Sequence, residues 1–104
     1  MAQFDVYRNR AASKGQYPYL LDVQSDILAG LQLRVVVPLA KQGEIHGPLL
    51  RVLLQVLDIN GEPWVMLTPM LAAIDRSTLG EPVGSATRQR AEILAALDML
   101  VTGA

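Results

Sequence analysis

His46 is the first residue to consider for chemistry, because it is the only histidine in the chain and there is no cysteine. As the base of a Ser-His-Asp site it would need an activated serine, and no serine lies in the G-x-S-x-G elbow that exposes such a nucleophile. The serines are Ser13, Ser25, Ser77 and Ser85. One histidine without cysteine also cannot supply the usual ligands of zinc. His46 is therefore predicted to be an ordinary residue of the polar loop "GEIHGP".

Paired carboxylates are the second candidate, since two such groups can share general acid and base roles. Asp22 could pair with Asp26, or Glu81 with Glu92, but spacing favours neither pair, and exposed charges at strand ends or on a helix explain both. The segment "GEPVGS" places two glycines before a helix, yet no lysine follows in P-loop register. The sequence predicts no catalytic residue, no metal and no cofactor, which favours a protein that works by binding.

A small basic run, Arg8, Arg10 and Lys14, lies near Tyr7 and Tyr17. Aromatic side chains beside cations can stack on RNA bases. Three cations on a chain of net charge −1 are weak support for that role. A solvated loop is the favoured interpretation, and docking of an acidic peptide is the favoured functional alternative.

Composition limits the remaining classes of function. The chain has 104 residues, enough for one core, so a single domain spanning residues 1–104 is expected. Net charge −1 gives no electrostatic reason to bind DNA or RNA alone. The start "MAQFDVYRNR" does not resemble a secretory signal and no apolar run is long enough to span a bilayer, so a cytoplasmic protein is expected. Hydrophobic residues reach 51%, which suggests either a covered apolar surface, as in a dimer, or simply a small aliphatic domain.

The elements that must position any site are mostly strands. Alternation at residues 4–8 predicts a first strand, "YLLDV" at 19–23 predicts a second, and the two suggest an antiparallel hairpin. Residues 31–39 are rich in β-branched side chains and predict a third strand, with Pro38 at a strand end or sheet edge. Asn60-Gly61 predicts a type I′ turn between the apolar run 49–59 and "PWVMLT".

The last part of the chain predicts an amphipathic helix, after punctuated short strands or irregular connections over residues 69–84. Ser85 or Thr87 could cap it, and "RQRAEILAALDMLV" contains no glycine or proline. A spacing of 100° per residue places five side chains on one face, expected to pack on the sheet. These are Ile93, Leu94, Leu97, Leu100 and Val101.

Several blocks, in order along nearly the whole chain, carry a resemblance to a known family. They are "QFDVY", "DVQSDI", "RVVVPLA", "WVMLT", "LGEPV" and the C-terminal helix. Their order and spacing are similar to those of the CcdB family of toxins. The resemblance implies a mainly β fold, an SH3-like small barrel of the CcdB/MazF type, made of antiparallel strands with a C-terminal α-helix.

The resemblance also implies a function. CcdB-like proteins are homodimeric toxins of type II toxin-antitoxin modules that bind the A subunit of DNA gyrase, without catalysis of their own, and hold the enzyme on cleaved DNA. A CcdA-type antitoxin neutralises them, and the toxin-antitoxin complex represses its own operon, so operator DNA is bound only in that complex. No contact with a membrane is expected.

The gyrase-binding positions of the family match Ile27 and Leu28 here, and in the final helix Asp98, Val101, Thr102, Gly103 and Ala104. The family ends on an Asn, a Phe-Trp pair, Gly and Ile, of which only the glycine is kept. Because a tryptophan supplies a large apolar face and a cation-π surface, its replacement by Thr102 predicts weakened poisoning of gyrase. The residues that bind the antitoxin are not indicated.

Two alternatives stay open at this point. MazF/Kid-type endoribonuclease toxins look built on the same barrel, but they need an arginine and an acid/base group that converge on the scissile phosphate, and the sequence indicates no such pair. The chain could also be a non-toxic descendant that keeps only antitoxin binding.

Overall fold

The computed structural model describes residues 2–11, 15–41 and 50–103. His46, Lys14, Ser13 and the predicted gyrase-binding residue Ala104 lie outside the described residues. The expectations for these four residues therefore stay predictions.

In the described part of the chain, seven strands form one antiparallel sheet. The strands are β1 (Asp5–Asn9), β2 (Tyr19–Asp22), β3 (Leu33–Lys41), β4 (Val56–Ile59), β5 (Glu62–Met66), β6 (Ala72–Asp75) and β7 (Leu79–Ser85). Their order is β4-β5-β3-β2-β1-β7, and β6 also pairs with β3. The helices are α1 (Leu50–Leu53) and α2 (Arg90–Thr102). Short 3₁₀ turns occur at Asp26–Leu28, Thr68–Met70, Arg76–Thr78 and Thr87–Gln89. This mainly β half-barrel with a C-terminal helix confirms the predicted fold class.

The predicted first hairpin forms, and it buries both faces of the sheet. β1 pairs with β2 antiparallel, with Val6 opposite Leu21 in the main core. Tyr7, predicted to face away from Val6, does so but is only 5% exposed, because a second cluster with Leu20 and Leu79 covers it. Burial raises the pKa of the Tyr7 hydroxyl. A buried Tyr7 is not available to stack on RNA bases.

Pro38 was predicted at a strand end or edge, and that prediction is wrong. It lies inside β3, a central strand, opposite Leu20 of β2. The other side of β3 changes partner there, from β6 at residues 33–36 to β5 at residues 39–41. The carbonyl of Pro38 accepts the N–H of Leu67 on that side at 3.0 Å. The missing N–H of proline thus falls in the gap between two ladders, where no strand needs it.

The turn predicted at Asn60-Gly61 is confirmed. Ile59 pairs with Glu62, and the two turn residues have φ angles of 55° and 85°. Two consecutive positive φ angles are typical of a type I′ hairpin, whose twist matches the strands beside it.

Gly61→Ala is expected to lower the free energy of unfolding by about 1 kcal/mol, because an alanine side chain is strained at a positive φ. A Cβ at this position would meet no atom within 4 Å, so the backbone alone would cause the loss. Gly30 is the matched control, since its Cβ would also meet nothing and its φ lies outside the left-handed range. Urea unfolding of both variants measures the difference, and equal stabilities would contradict the prediction.

Side chains bring the two ends of the curved sheet together. The amide of Asn60 donates to the carbonyl of Val83 in β7 at 2.6 Å. The amide of Gln89 covers the edge of β4, where its Oε1 accepts the N–H of Asp58 at 2.7 Å and its Nε2 donates to the carbonyl of Val56 at 3.0 Å. These side-chain contacts connect the β4–β5 end of the sheet to β7 and to the Thr87–Gln89 turn, without an additional strand.

Helix α2 packs on α1 and on the Thr68–Met70 turn. Ile93 is buried as predicted, and Leu94 and Leu97 pack partly against the core. The expectation that Leu100 and Val101 share this packing is wrong, because they are 38% and 79% exposed. The apolar face of α2 continues to the end of the helix, but α1 and the Thr68–Met70 turn do not cover its last residues.

The start of α2 also differs from the expectation. Ser85 Oγ accepts the N–H of Thr87 at 3.2 Å, which supports the Thr87–Gln89 turn. The helix itself begins at Arg90 and has no side-chain cap. Neither described helix is long and apolar enough to cross a membrane.

Candidate functional site

The first candidate surface is the turn Asp26–Leu28, called here the Ile27 turn, which follows the end of β2. Ile27 is 92% exposed and Leu28 is 46% exposed. Keeping an isoleucine side chain in water forgoes about 1.5 to 3 kcal/mol of the free energy that its burial would provide. An ordered turn that presents two adjacent aliphatic side chains to solvent is typical of a protein contact.

Short-range contacts explain why the sequence "QSDIL" makes this turn. Ser25 caps it, since its Oγ accepts the N–H of Ile27 at 3.3 Å. The backbone N–H of Leu28 donates to the carbonyl of Ser25 at 3.0 Å. Asp26 Oδ1 accepts the N–H of Gln3 at 2.7 Å, which attaches the turn to the start of the chain. The turn is therefore held from both ends.

Gln24 connects the Ile27 turn to the sheet below it. Its side chain is almost completely buried, with 7% of the residue exposed. Oε1 accepts the N–H of Val35 in β3 at 2.9 Å, and Nε2 donates to the carbonyl of Leu28 at 3.0 Å. One amide thus bridges the central strand and the last residue of the turn.

A buried ion pair lies under Gln24. Asp22 Oδ2 accepts from Arg34 Nε at 3.1 Å and from Nη2 at 2.5 Å, and both side chains are fully buried. Asp22 Oδ1 accepts the N–H of Gln24 at 3.0 Å. Among the described residues, Nη1 of Arg34 has no hydrogen-bond partner. Asp22, one of the carboxylates considered for acid/base chemistry, therefore serves the packing of β2 against β3.

The loop that follows the Ile27 turn ends near Gln32, whose side chain is held by Asp75. Asp75 Oδ1 accepts from the N–H of Ser77 and from the amide of Gln32, both at 2.9 Å. The hydrogen bond from the Ser77 backbone, followed by those from the side chains of Ser77 and Gln32, lowers the pKa of Asp75. The carboxylate therefore keeps its charge, and this contact, to a lower pH than an ordinary aspartate does.

The second candidate surface is the last turn of α2. Asp98, Val101, Thr102 and Gly103 are all exposed there. Gly103 ends the helix with a φ of 74°, and its N–H donates to the carbonyl of Met99 at 3.1 Å. This left-handed cap suits glycine, so the glycine shared with the CcdB pattern has a local structural reason.

The predicted site residues lie on two separate elements. The Ile27 turn is attached to Gln3 and β3, and it is not among the elements that pack extensively against α2 in the described part of the chain. Two exposed side chains that the sequence analysis missed, Met70 (44%) and Leu71 (37%), belong to or follow the Thr68–Met70 turn, which packs against α2. Their only sequence signal is an apolar pair after Pro69, in a segment without periodicity.

Arg8 and Arg10 of the basic run form one wall of an open groove of about 440 Å³, which Leu79, Gly80 and Glu81 also line. Gly80 lets the Arg10 side chain lie against the backbone of β7, since a Cβ at residue 80 would meet that side chain at 3.1 Å. Arg8 Nε lies 4.0 Å from Glu81 Oε2, and both side chains are more than half exposed. This is a surface ion pair of the kind that contributes little to stability.

The described residues offer no metal site, and the tryptophan is not available to a ligand. In residues 2–11, 15–41 and 50–103, no group of three His, Cys, Asp or Glu side chains could hold a metal ion. Trp64 is 4% exposed and contacts Tyr19 edge to face, with 4.7 Å between the ring centroids, so it serves packing of the core.

A sequence model of the family described as "CcdB protein" matches residues 3–103. The chain belongs to the CcdB family. CcdB proteins are toxins of toxin-antitoxin modules, and the match covers both candidate surfaces except for Ala104.

A solved structure with the same fold gives a second comparison. It is described as an endoribonuclease in complex with its cognate antitoxin from mycobacterial species, with a TM-score of 0.77. The likeness covers 97% of this CcdB-family chain and 94% of the other chain, at 16% sequence identity. At that identity the likeness establishes the shared fold.

Proposed function

We propose that this CcdB-family toxin acts without catalysis, by binding the A subunit of DNA gyrase and inhibiting the topoisomerase. The observation that carries the proposal is the 92% exposure of Ile27 on an ordered turn, at the position that matches an aliphatic contact of the family. The exposed end of α2, with Val101 79% exposed, supplies the second matched contact.

The helix end makes the proposed contact weaker than in family members with an aromatic tip. Val101 and Thr102 stand where the family has Phe and Trp, so the apolar area available to gyrase is smaller. Loss of a hot-spot tryptophan costs about 2 kcal/mol or more, which is roughly thirtyfold in affinity. Inhibition is therefore expected to need a toxin concentration roughly thirtyfold or more above that of a family member with the aromatic tip.

Ile27→Ser tests the proposal in a gyrase supercoiling assay with purified full-length protein. We expect the concentration for half inhibition to rise by roughly tenfold or more, because the variant loses the burial of one aliphatic side chain on gyrase. Stability should not change, since Ile27 contacts solvent in the free protein.

Leu31→Ser is the matched control, because Leu31 is also an exposed aliphatic residue (51%) but lies outside the matched positions. Its inhibition should stay within about twofold of the wild type, since surface substitutions away from an interface have small effects. Failure of the wild-type protein to bind the gyrase A subunit at micromolar concentration would refute the proposed target.

The proposed partners are a second copy of the chain, a CcdA-type antitoxin, and operator DNA only through the complex with that antitoxin. Exposed apolar residues on the sheet, on the helix and at the Thr68–Met70 turn support self-association, since a monomer gains nothing from them. They include Leu33, Met70, Leu71 and Leu100. The antitoxin partner is supported by family membership and by the complex in which the structural neighbour was solved.

Ribonuclease activity is not favoured as an alternative. The neighbour described as an endoribonuclease shares 16% of its sequence with this chain, and a shared fold does not transfer function. Arg8 and Glu81 are an arginine and a carboxylate in one groove, but a single 4.0 Å contact between exposed side chains does not make an acid/base site. Cleavage of single-stranded RNA by the purified protein, lost in Arg8→Ala, would reverse this preference.

A further inference from the structure

Gln24 is too buried to touch a partner, yet one of its two side-chain hydrogen bonds ends on the proposed contact surface. Its Nε2 holds the carbonyl of Leu28, and its Oε1 is fixed by the N–H of Val35 in a central strand. The backbone of Gln24 is fixed in turn by Asp22. A rigid part of the sheet therefore determines where the Ile27 turn lies.

A second attachment comes from Gln3 and acts on the same turn. Its backbone N–H donates to Asp26, and its Nε2 donates to the carbonyl of Val23 at 3.2 Å. Arg90, at the start of α2, donates from Nη1 to Gln3 Oε1 at 3.2 Å. Gln3 thus connects Asp26 of the turn to Val23, just after β2, and to the start of α2.

The backbone around Gln3 is held in an uncommon conformation. Phe4 has a φ of 71°, which is rare for a bulky residue, and it is 1% exposed. Its N–H donates to the carbonyl of Asp22 at 2.6 Å, and its carbonyl accepts from Ala86 at 2.8 Å. Such strain persists only where surrounding contacts maintain it, and here it directs Gln3 toward the Ile27 turn.

We propose that Gln24 is a positioning residue, which orders Ile27 and Leu28 before a partner arrives. This inference rests on the proposed function, because it assigns Gln24 a role in the same contact. A loop that is ordered in advance does not lose that freedom on binding, so the affinity is higher than for a mobile loop with the same side chains. Gln24 acts through the turn and does not itself contact gyrase.

Gln24→Met tests the inference, because methionine has a similar length and removes both amide hydrogen bonds. ¹⁵N relaxation of the full-length protein should show backbone order parameters near 0.85 for residues 27–29 in the wild type and below about 0.6 in the variant. Binding to the purified gyrase A subunit should weaken by about fivefold to tenfold. Gln55→Met is the control, since it removes a similar amide bond, to the carbonyl of Val52, far along the chain, and should change neither readout.

Asp26 provides a second pair of variants in case Gln24→Met does not fold. Asp26→Ala removes the acceptor for the N–H of Gln3, whereas Asp26→Asn keeps an oxygen there. Asp26→Ala should lower the order parameters of the turn, and Asp26→Asn should preserve them. Unchanged order parameters in a folded Gln24→Met variant, or in Asp26→Ala where Gln24→Met does not fold, would overturn the inference. If the wild type did not bind gyrase, the proposed target would be wrong, and the relaxation data would still decide whether Gln24 orders the turn.

Discussion

Arg34→Met is expected to lower the free energy of unfolding by about 3 to 5 kcal/mol, because it leaves the buried Asp22 carboxylate without its counter-charge. Both side chains of the pair are fully buried, so water cannot replace the lost partner. Small domains have about 5 to 15 kcal/mol of stability in total, so a loss of this size is readily measured. Urea unfolding at neutral pH, followed by circular dichroism, gives the value.

The double variant Asp22→Leu/Arg34→Met separates two contributions to the free energy of unfolding: the penalty of burying one unpaired charge, and the net stabilisation from the ion pair. Apolar replacement of a whole buried ion pair is often neutral or stabilising. We expect the double variant to recover most of the stability, less the bond from the Gln24 N–H to Asp22. A single variant that lost less than about 1 kcal/mol would contradict the view that these charges depend on each other.

Val101→Phe/Thr102→Trp is expected to strengthen inhibition of gyrase by roughly thirtyfold, because it restores the aromatic pair at the proposed contact. Val101 is 79% exposed and Thr102 is exposed, so the larger side chains can extend into solvent. The Thr102 hydroxyl donates to the carbonyl of Asp98 at 2.8 Å, and loss of this exposed bond should cost little. The half-inhibitory concentration in a supercoiling assay measures the gain.

The matched control places the same pair elsewhere on α2, as Ala91→Phe/Glu92→Trp. Both positions are exposed, near the start of the helix. This variant should leave inhibition within about twofold of the wild type, since added apolar area helps only inside an interface. Equal gains in the two double variants would mean that the aromatic side chains bind gyrase non-specifically. The end of α2 would then not be part of the proposed site.

Local sequence signals predicted the parts of the fold that depend on neighbours in the chain. Asn60-Gly61 specified its hairpin because positive φ angles are a property of those two residues. Pro38 was misplaced because its tolerance depends on two strands that pair with β3 from distant parts of the sequence. Val101 was assigned to the core because periodicity gives a face but not the length over which that face is covered.

Part of the candidate site was also predictable from the sequence, and part of it was not. Ile27 and Leu28 were identified from a family pattern, and their exposure could not have been predicted from two aliphatic residues alone. The roles of Gln3 and Gln24 were missed, because their partners lie as far as Arg90 along the chain and glutamine side chains are exposed in most proteins.

The edges of the sheet restrict how this protein can meet other chains. An exposed edge strand is a template on which a foreign strand can grow, and that is a route to aggregation. Gln89 occupies the N–H of Asp58 and the carbonyl of Val56, two groups that an eighth strand would need at β4. At the opposite edge, β7 contains Pro82, which has no N–H to offer. A chain that adds to β4 must first displace Gln89, so this edge of the sheet resists uncontrolled growth while the exposed side chains of the protein stay available to its partners.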